Sequence, residues 1–394
     1  MKLNYPNYNK KTLKKVQQVL RSGRVNYWTG NECKDFEKEF SKYVGNKYSI
    51  TLSNGSVALE LALKALRLEK GDEIIVSPRS FIISASCVLS LGLKPIFADV
   101  DYNGNLSIEG IKDAYSKKVK AIIVVHLNGL SCDMDPILKF VKKNRILLIE
   151  DCSQAHGASY KGNKVGSFGD VSTWSFCQDK IISTGGEGGM ISTNDKRLWL
   201  RLWSLKDHGK NYKSVFFKNH KIGFKWLHDD FGSNYRMTEI QATIGREQLK
   251  SLDKQIQKRN LIAKLYINEL EDYYLKYKIF KIPDFKYQNY QLKENNLSVH
   301  AFYRLNLFIN KNKINQNKLL EQFNKKNINC GVGACPEIYR EKIFKKLKLY
   351  PKKRLINAKL LGETSIMFPI NPNTSIKKVK LEINSIKKIL NKYT

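Results

Sequence analysis

Val171-Ser172-Thr173-Trp174-Ser175-Phe176 is a short apolar run, and Cys177-Gln178-Asp179-Lys180 follows it directly. Gly185-Gly186-Glu187-Gly188-Gly189 then leads into a second run, Met190-Ile191-Ser192. Apolar runs of this length, bounded by glycines, read as strands covered on both faces. The same reading extends toward the N-terminus, where Tyr48–Leu52, Glu73–Val76, Pro95–Val100, Ala121–Val125 and Ile146–Ile149 are further short strands. Helical spacing fills the gaps: 33–43 carries Phe36, Phe40 and Tyr43, 57–68 is apolar at 58, 59, 61, 62, 65 and 66, and 82–91 is an apolar segment. Strands alternating with helices predict an α/β layer sandwich around a mainly parallel sheet.

The pattern changes near residue 250. Residues 246–272 read as one long polar helix with apolar positions at 249, 252, 256, 261, 262, 265, 266 and 269. A Lys/Asn-rich loop stretch (283–297), strand-like Ala301–Ile309, helical 314–326 and a Lys-rich helix over 376–392 follow. The expected organisation is a large domain over 1–250 and a smaller α+β domain over 251–394, within the two to three domains that 394 residues allow.

Hydrophobic residues make up 42% and charged residues 27%, which supports a large core and excludes disorder, collagen and a disulfide-stapled miniature. The net charge of +33 rests on 69 cations, of which 13 are Arg and 56 Lys, spread along the chain. Lys-heavy, Arg-poor usage fits the composition bias of an AT-rich genome, and it also fits a functional field. Either would draw in an anionic ligand. The seven cysteines form no CxxC pair, as expected in a reducing compartment. Cys330 and Cys335 with His300 match no standard metal spacing, so no metal is expected. Met1-Lys2-Leu3-Asn4-Tyr5-Pro6 lacks an apolar signal core, and no run approaches the roughly 20 residues of a membrane span. A soluble, cytoplasmic protein is expected, with neither a membrane nor a nucleic acid as partner.

In α/β sheets, ligands bind outside the carboxyl ends of the strands. Ser53-Asn54-Gly55-Ser56 stands there before a helix, either as a plain N-cap or as a cradle whose first-turn N–H groups attract a phosphate. Glu150-Asp151-Cys152-Ser153-Gln154-Ala155-His156-Gly157 puts acids at a strand end, as an N-cap or as partner of a protonated heterocyclic nitrogen. Lys180 is either one more surface lysine or a Schiff-base lysine whose pKa desolvation would lower. Phosphate cradle, ring acid and lysine are together the three anchors that pyridoxal phosphate requires.

Ser53–Ser56, Ile149–Ala158, Lys164-Val165-Gly166-Ser167-Phe168-Gly169-Asp170, Ser175-Phe176 with Lys180, Gly186–Gly189 and Asn234-Tyr235-Arg236-Met237 resemble the signature of the DegT–DnrJ–StrS sugar-nucleotide aminotransferases. The resemblance runs from about residue 20 to 250 and more loosely to the end. It implies a fold type I pyridoxal-phosphate transferase, with a three-layer αβα large domain, a mainly parallel seven-stranded sheet and a smaller α+β C-terminal domain. The cofactor would be pyridoxal 5'-phosphate. Lys180 would form the internal aldimine and shuttle the proton, and Asp151 would pair with the pyridine nitrogen. Gln154 would sit near the phenolic oxygen, and Phe81 would stack on the ring. Gly55 and Ser56 N–H groups, with the Ser175 hydroxyl, would hold the phosphate, and Asn234 would reach it from the partner subunit of a homodimer with shared sites. The reaction implied moves an amino group, in this family usually from glutamate, to a nucleotide-linked keto-sugar for polysaccharide or glycan synthesis.

Two departures from that pattern and three further segments need their own reading. Cys177, Gln178 and Asp179 replace the residues usual ahead of the lysine, and Arg79 replaces a small or apolar one. Both departures flank the expected cofactor position. Val25-Asn26-Tyr27-Trp28-Thr29-Gly30 reads as a substrate loop or as simple packing, and His156 as a pocket residue or a structural one. Asp207-His208-Gly209 resembles a loop ahead of the dimer contact and is given no catalytic role. The rival functions are a sugar dehydratase on the same scaffold and, in another class, a basic nucleic-acid-binding regulator.

Overall fold

Continuous apolar runs become strands here because both faces of the sheet are covered. The computed structural model describes residues 6–281 and 298–394. Its main sheet contains β1 (Tyr48–Leu52), β2 (Glu73–Val76), β3 (Lys94–Phe97), β4 (Val119–Val125), β5 (Leu147–Asp151), β6 (Val171–Ser175) and β7 (Gly189–Thr193), in the order β1-β7-β6-β5-β4-β2-β3. The pairs from β6 to β3 are parallel, and β7 is antiparallel to both neighbours. The glycine-rich turn joins β6 to β7 without a crossover helix, so β7 must run back.

Alternation along single strands shows the two-sided cover. Ile74, Val76 and Ile123 pack with Ala58, Leu59 and Leu61 of helix Gly55–Ala65 and with Leu202 and Leu205 of helix Lys196–Lys206. Ile75, Ile122 and Val124 pack on the other side with Ile111, Ile137 and Val141. The result is helix, sheet, helix: three layers around a mainly parallel sheet. Beyond them, β8 (Phe280–Lys281), β9 (Arg304–Ile309) and β10 (Ser365–Pro369) form an antiparallel sheet that is β8-β9-β10 in order. Helices Gln316–Lys325 and Ile376–Leu390 share its core through Leu319, Phe323, Val379, Ile383 and Ile386.

Of the expected boundaries that move, four have a clear local reason. β3 ends at Phe97 rather than Val100, because the Asp99 carboxylate turns aside to accept the Asn357 and Ala358 N–H groups of helix Ile356–Thr364. β5 continues past Ile149, since Glu150 and Asp151 still pair with Val124 and Val125 of β4. The single helix expected over 246–272 is two main helices, Glu239–Lys250 and Leu252–Glu269, meeting at Ser251. A capping box of Thr238 with Gln241 starts the first one early. β9 begins at Arg304 rather than Ala301, because Val299 and Ala301 bond back to Ser159 and Gly129 of the large layer. The stretch 283–297 and the first five residues lie outside the described residues. Among the described residues, no helix is long and apolar enough to cross a membrane.

Candidate active site

The carboxyl ends of β1, β5 and β6 open on a cavity of about 660 Å³, which is also lined by Tyr303, Arg304 and Gly333–Cys335 from the later part of the chain. Gly55, Ser56, Phe81, Asp151, Gln154, Ser175 and Lys180 all line it. Asn234 does not. It is exposed and bridged to Asp207.

At the first corner, helix Gly55–Ala65 points its N-terminus into the cavity. Asn54 Oδ1 accepts the Val57 N–H at 2.9 Å, and the Gly55 and Ser56 N–H groups belong to the first turn, which has no intrahelical acceptor. A Cβ at Gly55 would stand 2.5 Å from Ser175 Cβ, so only glycine lets this turn approach β6. The Ser175 hydroxyl accepts the Cys177 N–H at 3.4 Å and lies on the same wall.

Neighbouring acids form the second corner, and their wiring differs. Glu150 is buried and accepts from His126 Nε2 at 3.0 Å and from the N–H groups of Gly166, Phe168 and Gly169 at 2.7 to 2.8 Å. His126 Nδ1 accepts the Cys132 N–H at 3.1 Å, which leaves Nε2 as the protonated nitrogen. Glu150, His126 and Cys152 come close enough to resemble a metal group, yet this hydrogen-bond network already uses the ligand atoms of Glu150 and His126. Asp151 Oδ1 accepts the Ser153 N–H at 3.1 Å, the Ser153 side chain also bonds to the carboxylate, and the carboxylate faces the cavity. Burial pushes the Asp151 carboxyl up, against the pull of Ser153, His126 and Lys180. Gln154 Oε1 accepts the Asn128 N–H at 2.8 Å, so its amide is fixed where it lines the cavity. Phe81 projects into the opening with 67% of its surface exposed.

Lys180 occupies the third corner, held by a turn in which its N–H bonds to the Cys177 carbonyl and Gln178 N–H to that of Gly186. Its Nζ reaches both oxygens of Asp179, at 2.9 and 3.1 Å. The Tyr303 hydroxyl donates to the same carboxylate, and Arg304 Nη2 donates to Tyr303 at 3.1 Å. This corrects the expected lowering of the lysine pKa. Burial does pull Lys180 down, but the Tyr303 hydroxyl and the Asp179 carboxylate outweigh it and keep the amine above the ordinary lysine value.

The other singled-out residues divide. Cys177 and Asp179 line the cavity and Gln178 does not. Arg79 is 1% exposed and turns away to Ser365 Oγ at 3.1 Å, so its expected place beside the cofactor position is corrected. Burial lowers it to about 10. His156 lies beneath the site between Trp174 and Phe176, with burial holding it down at about 3 and therefore neutral. Tyr27 and Trp28 pack among Trp203 and Phe216 and do not line the cavity. Asp207 is buried against Arg236 and Lys210. Tyr303, Arg304, Gly333, Ala334 and Cys335 complete the wall without any local motif to announce them.

This strand order, with a lysine after β6 and an acid ending β5 on one cavity, is that of a fold type I pyridoxal-phosphate transferase. The chain belongs to the DegT/DnrJ/EryC1/StrS aminotransferase family, whose model matches residues 6–387. The aminotransferase of Psychrobacter cryohalolentis is 41% identical, with 99% of this chain and 98% of that one covered at a TM-score of 0.95. GDP-perosamine synthase of Escherichia coli O157:H7 is 42% identical over 60% of this chain and 62% of its own length, so the chain spans less than two thirds of that relative. Escherichia coli GDP-4-keto-6-deoxy-D-mannose-3-dehydratase, solved with bound hydrated pyridoxal phosphate, is 25% identical, with 98% of each chain covered at a TM-score of 0.84.

Proposed function

We propose that the protein uses pyridoxal 5'-phosphate in this cavity to transfer an amino group from glutamate to the ketone of a nucleotide-linked sugar. The observation that carries it is the meeting of Lys180, Asp151 and the Gly55–Ser56 turn on one cavity. The donor set fits the group. A buried acid with spare accepting capacity suits a protonated ring nitrogen, and a glycine turn whose N–H groups have no intrahelical acceptor suits a phosphate. When bound, the cofactor would supply an aldehyde that takes up the amino group and a ring that withdraws electrons. Asp151 would keep the ring nitrogen protonated, Phe81 would cover the ring, and Gln154 would meet the phenolic oxygen. Gly55, Ser56 and Ser175 would bind the phosphate, and Lys180 would hold and move the proton. Residues 1–250 would form the cofactor-bearing unit and 251–394 the unit that closes over it.

The relatives named GDP-perosamine synthase, and one named dTDP-3-amino-3,6-dideoxy-alpha-D-galactopyranose transaminase, support a nucleotide-sugar acceptor. All seven cysteines are unbridged, which supports a reducing compartment such as the cytoplasm. A second copy of the chain would complete each site. Phe217, Ile222, Phe224, Trp226 and Phe231 are exposed within one stretch just before Asn234, an apolar density that favours a protein partner. Mixing Asn234→Ala with Lys180→Ala protein should then restore activity, since one of the two composite sites carries neither lesion. No recovery despite proven subunit exchange would remove the shared site.

The deciding experiment offers keto-sugar nucleotides with glutamate and weighs the products by mass spectrometry. An amino-sugar nucleotide with release of 2-oxoglutarate is expected. Loss of water without amine incorporation would make the protein a dehydratase instead.

A further inference from the structure

The geometry points to Asp179 as a positioning residue that receives the Lys180 ammonium whenever the lysine is not covalently joined, and so governs how readily that lysine forms its covalent link. The inference rests on the reading of Lys180 as the residue that joins the cofactor.

Asp179 is held by a residue from a distant part of the chain and Lys180 reaches it on a long stem, which is what a docking point requires. The carboxylate is gripped by the Tyr303 hydroxyl, which comes from a segment 124 positions away. Arg304 stands behind it, 3.1 Å from the Tyr303 oxygen and 3.7 Å from Asp179 Oδ2. The lysine stem is a flexible four-carbon chain, and its Nζ meets both carboxylate oxygens. Burial works against the Asp179 carboxylate, yet Lys180, Tyr303 and Arg304 outweigh it and keep the acid below its usual range. The other charged or titratable groups around the amine are Asp151 at the end of β5, Cys177 in the same turn and His156 beneath. Glu187 meets Cys177 across the turn, at 3.7 Å. Asp151 is fully buried and reaches no hydrogen-bond distance to Nζ among the described contacts, so Asp179 is the acid that holds the ammonium.

Covalent linkage to an aldehyde must release that hold. The ammonium first gives up a proton so that the nitrogen lone pair can attack the carbonyl carbon. Once the carbon–nitrogen double bond has formed, the carbonyl oxygen has left as water with two of the three ammonium protons, and the third proton is on the nitrogen. When an incoming ammonium displaces the lysine, two of its three protons pass to the freed nitrogen, which already holds one, and the restored lysine ammonium returns to Asp179. Asp179 therefore slows capture near neutral pH and favours the form in which the lysine is free.

The test uses full-length protein freed of cofactor, pyridoxal 5'-phosphate as the probe, and the rate of covalent capture as a function of pH. Adducts are trapped with borohydride and located by peptide mass spectrometry. Asp179→Asn should shift the capture profile to lower pH by about one unit, making capture at pH 7 roughly tenfold faster. Asp179→Glu, which keeps the charge, should retain the parent profile. A shifted profile in the Asn variant alone supports the proposal, because a merely structural residue would not move a pH profile and spare it in the Glu variant. Superimposable parent and Asn profiles, with the adduct at Lys180 in both, overturn it and leave the cofactor reading intact. No adduct at Lys180 in the parent removes the cofactor reading and this proposal together.

Discussion

Two lysines withdrawn from solvent, one at the cavity wall and one in an aromatic nest, answer burial in opposite ways. Lys206 ends the helix Lys196–Lys206 with 0% exposure. Its Nζ lies 3.4 Å from the Tyr27 ring centroid and 5.4 Å from that of Trp203, with no hydrogen-bond acceptor among the described residues. Burial draws it down to about 8, although Glu37 and Asp207 pull the other way. Lys180 keeps 17% of its side chain exposed and has a bidentate carboxylate, and it stands above the ordinary value. Desolvation acts on both. The immediate partner decides the outcome: a ring face cannot replace the hydrogen bonds an ammonium loses, and a carboxylate can.

The largest expected effect breaks the comparison at the cavity. Lys180→Ala should lose all covalent capture of pyridoxal 5'-phosphate and all transamination, while the cofactor is still held noncovalently through Gly55, Ser56, Ser175 and Asp151. Lys206 has the lower pKa but does not line the cavity, so it cannot take over. Borohydride trapping and peptide mapping check this. An adduct at Lys206 with retained turnover would show that a lowered pKa, and not position, selects the reactive lysine.

A smaller effect, on stability, tests the nest. The folded Lys206 value lies below that of an unfolded lysine, so between about pH 8 and pH 10.5 the unfolded chain binds more protons and stability rises with pH. Over that window the contribution amounts to roughly 3 kcal/mol. Lys206→Met carries no such titration. Its advantage over the parent should be greatest below pH 8 and shrink by that amount by pH 10.5. Urea unfolding of both proteins at fixed concentration measures the difference, and parallel curves across the window would mean that Lys206 is not held as a buried charge.

The two lysines also mark what could be read from the chain. The place of Lys180 and Asp151 was legible because one follows an apolar strand and the other ends an apolar run, and strand ends in such sheets face a ligand. The sheet itself was legible because strands covered on both faces cannot hide their apolar runs. Lys180's partner across the cavity was not legible. Tyr303 and Arg304 arrive from another part of the chain, and nothing in their own neighbourhood marks them as wall residues. Without them, burial alone suggested a lowered lysine. Arg79 misled in the same way, since its partner Ser365 lies 286 positions off. The break at Ser251 left no trace either, because Leu249, Leu252 and Ile256 keep helical spacing across it and pack into one cluster. His156 left two readings open, and the rings of Trp174 and Phe176 decided for packing.

The smallest effect separates the parts of the nest. Tyr27 offers Lys206 a ring face, and it also offers a hydroxyl to Glu37 Oε2 at 3.5 Å. If the ring face holds the ammonium, Tyr27→Phe keeps that support and removes the hydroxyl's long hydrogen bond to Glu37 together with its hydrogen bond to Trp203. Glu37 retains the Thr51 N–H at 2.9 Å and the Thr51 hydroxyl at 2.8 Å, so its carboxylate is not left unpaired. The Trp203 indole N–H is buried and loses its partner, so the expected loss of stability is about 1 kcal/mol. The rise in stability between pH 8 and pH 10.5 should survive unchanged, because the Lys206 surroundings that set it are intact. Urea unfolding of Tyr27→Phe at both ends of the window decides the matter. If the rise disappears in Tyr27→Phe, the hydroxyl and its link to Glu37, and not the ring face, would govern Lys206.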